Sequence, residues 1–182
     1  MLRQYLHRYI RGFERRYTYD GTYMHELADA SVAAFNRFAI MQMAGGEFRG
    51  DAPRDAWFAA AIAGALVEDC GPCVQIASDM ALEAGVPGET IRGLLSGAPA
   101  DADAKLGFDY GRALLLGSDS LDALRAEIER KWGRKALVAL SLRAMTGRNF
   151  PVLKRALGHA KTCQRVRVGN ADVAVNQTLR AA

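Results

Sequence analysis

The sequence predicts an all-α protein, and three observations carry that expectation. Apolar residues recur at helical spacing through most of the chain, and Gly, Pro, Asp and Ser break the pattern at short intervals. Only one stretch, near residue 170, alternates as a strand does. The 182 residues, 50% hydrophobic and 24% charged, fit a single domain, 1–182, of about eight or nine helices with a short C-terminal hairpin. Three cysteines are too few for a secreted disulfide scaffold, and the odd number argues further against one. No apolar run approaches the roughly 20 residues of a membrane span, and the first residues lack the apolar core of a signal peptide. A cytoplasmic protein is expected. A net charge of +4 spread over many segments marks no nucleic-acid surface.

Residues 1–19 form the first expected helix. Leu2, Tyr5, Leu6, Tyr9, Ile10, Phe13 and Tyr17 share one face, and Arg3, His7, Arg8, Arg11, Arg15 and Arg16 take much of the rest. Such a helix either lays its aromatic stripe on the core or a neighbouring subunit, or docks on a membrane surface or partner. A long pattern then runs from Tyr23 to Met43 with a mostly small-residue face, ended by Gly45-Gly46. Asp51 and Pro53 open the next helix, through Trp57, Ala60, Gly64 and Val67, whose small residues allow close helix packing. After Cys70 a helix runs to Gly85, and a short one covers Glu89 to Leu95. Pro99 and Asp101 precede another that ends at Gly117. Leu121–Trp132, stopped by Gly133, and Lys135–Thr146 follow, and Asn149-Pro151 starts a last helix reaching toward Cys163. In the tail, 164–182, Val166 to Val175 alternates around Gly169-Asn170 and reads as a hairpin that must pack on the body to persist.

The chemistry concentrates in Glu68-Asp69-Cys70-Gly71-Pro72-Cys73. Two cysteines three positions apart suit a disulfide or half of a metal site. They fall between two helices, at the start of the second, where free N–H groups and the helix dipole stabilise a thiolate over a thiol. Pro72 fixes the backbone between them. Gly-Pro also fills the thioredoxin motif, but thioredoxin leads into it with a strand, and here the preceding segment is helical. Glu68 is the nearest carboxylate besides Asp69, either a base for the thiols or one of a solvent-facing acidic pair. His25 reaches the site only if its helix face packs there, and His7 belongs to the polar face of the first helix. His159 and Cys163, spaced i and i+4, could complete a Cys₃His zinc set with Cys70 and Cys73, or Cys163 could simply be buried.

Cys70-Gly71-Pro72-Cys73-Val74, the small-residue helix before it and the helix ending at Ala84-Gly85-Val86 resemble the alkylhydroperoxidase D and carboxymuconolactone decarboxylase superfamily. Asp109-Tyr110-Gly111-Arg112-Ala113-Leu114 and the Leu121–Met145 helical pair look like its second half, so the resemblance covers about residues 20 to 155. It implies a fold of helical hairpins and a homo-oligomer, dimer to hexamer. It also implies a C-x-x-C pair, Cys70 and Cys73, that reduces a peroxide or disulfide without a bound cofactor and is reset by a thiol reductant. The family's relay glutamate and histidine fall at Phe58 and Ala77, and a further histidine at Pro72. The relay is missing as written, and Glu68 is the candidate to replace it. The expected function is a thiol-dependent oxidoreductase. The alternatives are a non-catalytic helical oligomer with a Cys/His zinc site and a carboxymuconolactone-decarboxylase-like enzyme. No membrane or nucleic-acid partner is expected. The apolar faces, too wide for one small domain, independently suggest self-association.

Overall fold

The computed structural model describes residues 1–159 and 165–180. Among them the order is α1 (Leu2–Tyr17), α2 (Thr22–Ala30), α3 (Val32–Gly46), α4 (Arg54–Val67), α5 (Gly71–Glu83), α6 (Gly88–Ser96), α7 (Ala102–Leu116) and α8 (Leu121–Ala156). A two-stranded sheet, β1 (Arg165–Val168) and β2 (Ala171–Ala174), and a 3-10 turn, Gln177–Arg180, complete it. The all-α expectation with a C-terminal hairpin is met.

Helix α4 is the axis of the molecule. All eleven residues from Ala56 to Leu66 are buried, because α5, α7 and α8 all pack on it. Small residues make that possible. A Cβ on Gly107 of α7 would lie 2.3 Å from the Ala56 carbonyl oxygen, and one on Gly64 would lie 2.4 Å from that of Ala144 on α8. Both crossings bring backbone against backbone.

Two boundaries differ from the sequence expectation. The expected 23–43 helix is two helices, divided at Ser31, which is extended (φ −164°, ψ 111°) and caps α3 by accepting a hydrogen bond from the Ala34 N–H at 3.2 Å. A serine competes for backbone donors as an N-cap, and here that preference prevails over the continuous apolar pattern. Toward the C-terminus, Gly133 does interrupt the helical path (φ 81°, ψ 170°), but Pro151 starts no new helix and sits inside α8. Packing on both sides of the proline outweighs its missing N–H. Phe150 meets Phe38 edge-on at 4.9 Å, and Lys154 is buried over the rings of Tyr19 and Tyr23. The helix ends at Ala156, and Cys163 lies outside the described residues.

The hairpin pairs Arg165 with Ala174 and Val168 with Ala171, leaving Gly169-Asn170 as a two-residue turn with Gly169 at φ 62°. Val166 and Val168 of β1, and Val175 just past β2, are buried on the body. The side-chain amide of Gln75 on α5 acts as a piece of strand. It donates to the Arg167 carbonyl and accepts from the Arg167 N–H, both at 2.8 Å.

The apolar interior falls into two parts. The larger is organised around α4; the smaller joins Leu6, Ile10, Ala28 and Phe35 of α1, α2 and α3. The stripe on α1 is therefore only half used, since Leu6 and Ile10 are buried while Leu2, Tyr5 and Tyr9 are exposed.

Candidate functional site

The chain leaves α4 through a tight turn in which Asp69 takes a left-handed conformation (φ 52°), unusual for a residue with a side chain. The Asp69 carboxylate is held by Arg180 at 2.7 Å, so the tail fastens this turn. Cys70 follows as the N-cap residue of α5, and its carbonyl accepts from the N–H groups of Cys73 (3.1 Å) and Val74 (2.9 Å). Gly71 and Pro72 fill the first two helical positions, where the lost proline N–H has no intrahelical partner to forgo. The two cysteines, 5.2 Å apart at Cα, are joined in a disulfide. Both are buried, Cys70 at 3% and Cys73 at 8% exposure.

Cys73 borders open space. A cavity of about 310 Å³ lies along the seam between the two apolar clusters, and Cys73 lines it while Cys70 does not. Phe13, Tyr23, Leu27, Phe38 and Met80 form much of its wall. Arg143 enters from α8. Its guanidinium carbon lies 3.8 Å from the centre of the Trp57 ring, and one terminal nitrogen donates to the Gly46 carbonyl at 2.9 Å. Burial pushes Arg143 down to about 10, opposed by the Glu47 carboxylate, so it stays cationic at neutral pH. Tyr19 and Tyr23 face the same space. Burial drives the Tyr19 phenol up to about 12 and raises Tyr23 further. Their hydroxyls are 3.4 Å apart, and Lys154 donates to Tyr19 at 3.1 Å.

Glu68 is not free beside the sulfurs. Its carboxylate, 6% exposed, receives Arg148 on one oxygen and Arg155, at 2.7 Å, on the other. This clamp ties the end of α4 to α8, and neither arginine was foreseen because they stand 80 and 87 residues away. His25 pairs elsewhere. It stacks on His7 with ring centres 4.8 Å apart, and their Nδ1 atoms are 2.5 Å apart. His7 is thus a contact between α1 and α2 rather than open polar surface. His159 bonds Glu26 at 2.8 Å, and among the described residues no group of three or more His, Cys, Asp or Glu side chains is placed to hold a metal.

Arg143, Gln42 and Glu47, three of the polar residues lining the cavity, were missed by the sequence reading. A signal was there. Ala136, Leu140, Arg143 and Gly147 recur at three- and four-residue spacing, which puts a cation on the inward stripe of α8. No helix among the described residues is long and apolar enough to cross a membrane. Comparison with family models, curated proteins and solved structures gave no match.

Proposed function

We propose that the protein is a thiol-dependent oxidoreductase that reduces small hydroperoxides, with Cys73 the attacking and Cys70 the resolving residue. The observation that carries this reading is the placement of a C-x-x-C disulfide at a helix start with one sulfur, Cys73, on the wall of a cavity. The enclosure favours a small peroxide over a protein disulfide, since sulfurs so buried are out of reach of a folded partner. In the reduced form the Cys73 thiolate attacks the terminal oxygen of R–O–O–H. The O–O bond breaks, the alkoxide takes a proton and leaves as ROH, and Cys73 becomes a sulfenic acid. Cys70 then attacks the Cys73 sulfur, forming the disulfide and releasing water. Two thiols and ROOH give a disulfide, ROH and H₂O. Two external thiols, or one dithiol, supply the two electrons and two protons that reset the pair and leave as a disulfide.

The resemblance to the alkylhydroperoxidase D-like superfamily supports the same reading. Of its two relay positions, Ala77 lines the cavity and Phe58 sits under Arg143, 5.4 Å from the guanidinium carbon. Among the residues lining the cavity, Glu47, Tyr19 and Tyr23 are available to move a proton, whereas both oxygens of Glu68 are occupied. A second reading, a helical homo-oligomer in which the disulfide only clamps the turn, draws on the burial of both sulfurs and on exposed Tyr5, Tyr9, Ile40 and Met43.

The test is mass spectrometry of the reduced protein after one equivalent of cumene hydroperoxide. We expect rapid loss of two hydrogens mapped to the Cys70–Cys73 peptide, one cumyl alcohol per chain, and a trapped sulfenic acid at Cys73 in Cys70→Ser. Oxidation no faster than that of free cysteine would sink the redox reading and leave the clamp.

A further inference from the structure

We propose that the seam cavity is a binding site for a small aliphatic carboxylate, with Arg143 and Gln42 holding the head group and the aromatic and methionine wall holding the chain. Two buried nitrogens carry the argument. The Arg143 Nε and the Gln42 Nε2 are both shut off from solvent and have no hydrogen-bond partner. A buried donor without an acceptor is costly, and native proteins leave few of them. Both belong to residues lining the same cavity, and because neither nitrogen itself has accessible surface, each side chain turns toward the ligand as it binds. Gln42 also stands one helical turn before Gly46, the residue whose carbonyl anchors Arg143, on the same face of α3.

The head group has to be an acceptor, and an anionic one. Arg143 is a fixed fork of five donors, and one of its terminal nitrogens bonds the Gly46 carbonyl. The Trp57 ring fixes its plane at 3.8 Å. Glu47, the other charged residue at the cavity, acts on it through space. The positive charge of Arg143 is therefore largely buried and only partly offset by Glu47, and a carboxylate entering the cavity would neutralise it through paired, charge-assisted hydrogen bonds. Thr146 offers no competing donor, because its hydroxyl is already turned to the carbonyls of Leu142 (2.9 Å) and Arg143 (3.1 Å). The rest of the lining is almost wholly apolar, as expected for the tail of an amphipathic molecule. A volume of about 310 Å³ holds roughly ten non-hydrogen atoms, taking about 30 Å³ each as for liquid water. That size matches a chain of eight to ten carbons or its equivalent, ending near Cys73.

This site stands whether or not the dithiol reduces peroxides. Its identification as the substrate pocket, for a hydroperoxide of such an acid, rests on the oxidoreductase reading.

The experiment is calorimetric titration of the disulfide form with decanoate, decanol and decylamine. One decanoate per chain is expected, bound at least tenfold more tightly than decanol, with no saturable decylamine binding. Arg143→Met should weaken decanoate tenfold or more and leave decanol nearly unchanged. Gln42→Leu keeps the side-chain size and removes a buried orphan donor. It should raise the melting temperature while weakening decanoate about threefold to tenfold, so the proposal remains testable even if Arg143→Met fails to fold. Absence of decanoate binding at millimolar concentration, equal affinity for decanol, or undiminished affinity in folded Gln42→Leu would overturn the proposal. Decanoate that binds as expected, yet does not slow oxidation of reduced Cys73 by cumene hydroperoxide, supports the site and counts against the redox reading alone.

Discussion

Replacing Gly64 with alanine tests whether the backbone contact between α4 and α8 is as close as described. The new methyl carbon would lie 2.4 Å from the Ala144 carbonyl oxygen, 3.0 Å from the Arg148 nitrogen and 3.1 Å from the Gly147 carbonyl carbon. Ordinary contact begins near 3.4 Å, a shortfall of about 1 Å against the nearest atom. All three atoms are main chain, so no rotamer change can relieve the overlap and the helices must part. A gap of up to 1 Å forfeits a quarter to a half of each dispersion contact across the crossing. Overpacking of this kind costs about 1–3 kcal/mol, and with backbone on both sides the upper end applies. Alanine recovers about 1 kcal/mol of helix propensity, leaving a net loss of about 2 kcal/mol. For a chain of this size that lowers the melting temperature by about 4–8 °C. Gly12→Ala is the matched control, in mid-α1 with nothing within 4 Å of the added carbon, and should gain about 0.5–1 kcal/mol. Both melts are followed by circular dichroism at 222 nm. Equal stability of Gly64→Ala and the parent, or the same sign for both variants, would refute the reasoning.

Three other outcomes are expected. Reducing the Cys70–Cys73 bond removes a loop of only four residues, so the chain-entropy model gives a loss of about 2 kcal/mol; a differential scanning fluorimetry curve unmoved by phosphine reductant would contradict it. Glu68→Gln should cost about 1–2 kcal/mol in urea unfolding, discounted because Arg148 and Arg155 are 37% and 54% exposed. Arg148→Met made in that background should add little, whereas full additivity would mean that the clamp is not one unit. For Tyr19 the folded value, about 12, exceeds the ordinary 10, so its stabilisation is complete below pH 10 and is lost as pH rises toward 12. With Tyr23 raised in the same sense, stability should fall by roughly 1.4 kcal/mol per pH unit for each phenol across that window. A urea midpoint constant from pH 9.5 to 11.5 would show that these rings are not buried in solution.

Much of the fold was legible because its signals are local. The alanines and glycines of 56–66 announce a helix that others approach closely, and Gly97, Gly117 and Gly133 all take the positive φ that their place after an apolar pattern implies. Asp101 caps α7 at 2.6 Å, as an Asp ahead of such a pattern should. Ser31 and Pro151 misled because each is decided by competition between a local preference and packing. The serine won against the pattern, and the proline lost to Phe38, Tyr19 and Tyr23. The two cysteines were legible as a pair from their spacing. The remainder of the site was not, since Glu68 meets its arginines, and Arg143 its carbonyl, across 80 to 97 residues of sequence. Burial of an arginine shows in the sequence only as its place on a stripe. Its missing partner shows only in three dimensions.

The bidentate grip of Gln75 on Arg167 has a temporal side. The two residues are 92 positions apart, which at roughly 5–20 residues per second is about five to eighteen seconds of synthesis. Throughout that interval α5 is present without β1, and the Asp69 turn is without Arg180. The cysteines thus spend seconds on a nascent chain whose redox surroundings are those of the ribosome exit, before the valines of the hairpin seal that flank.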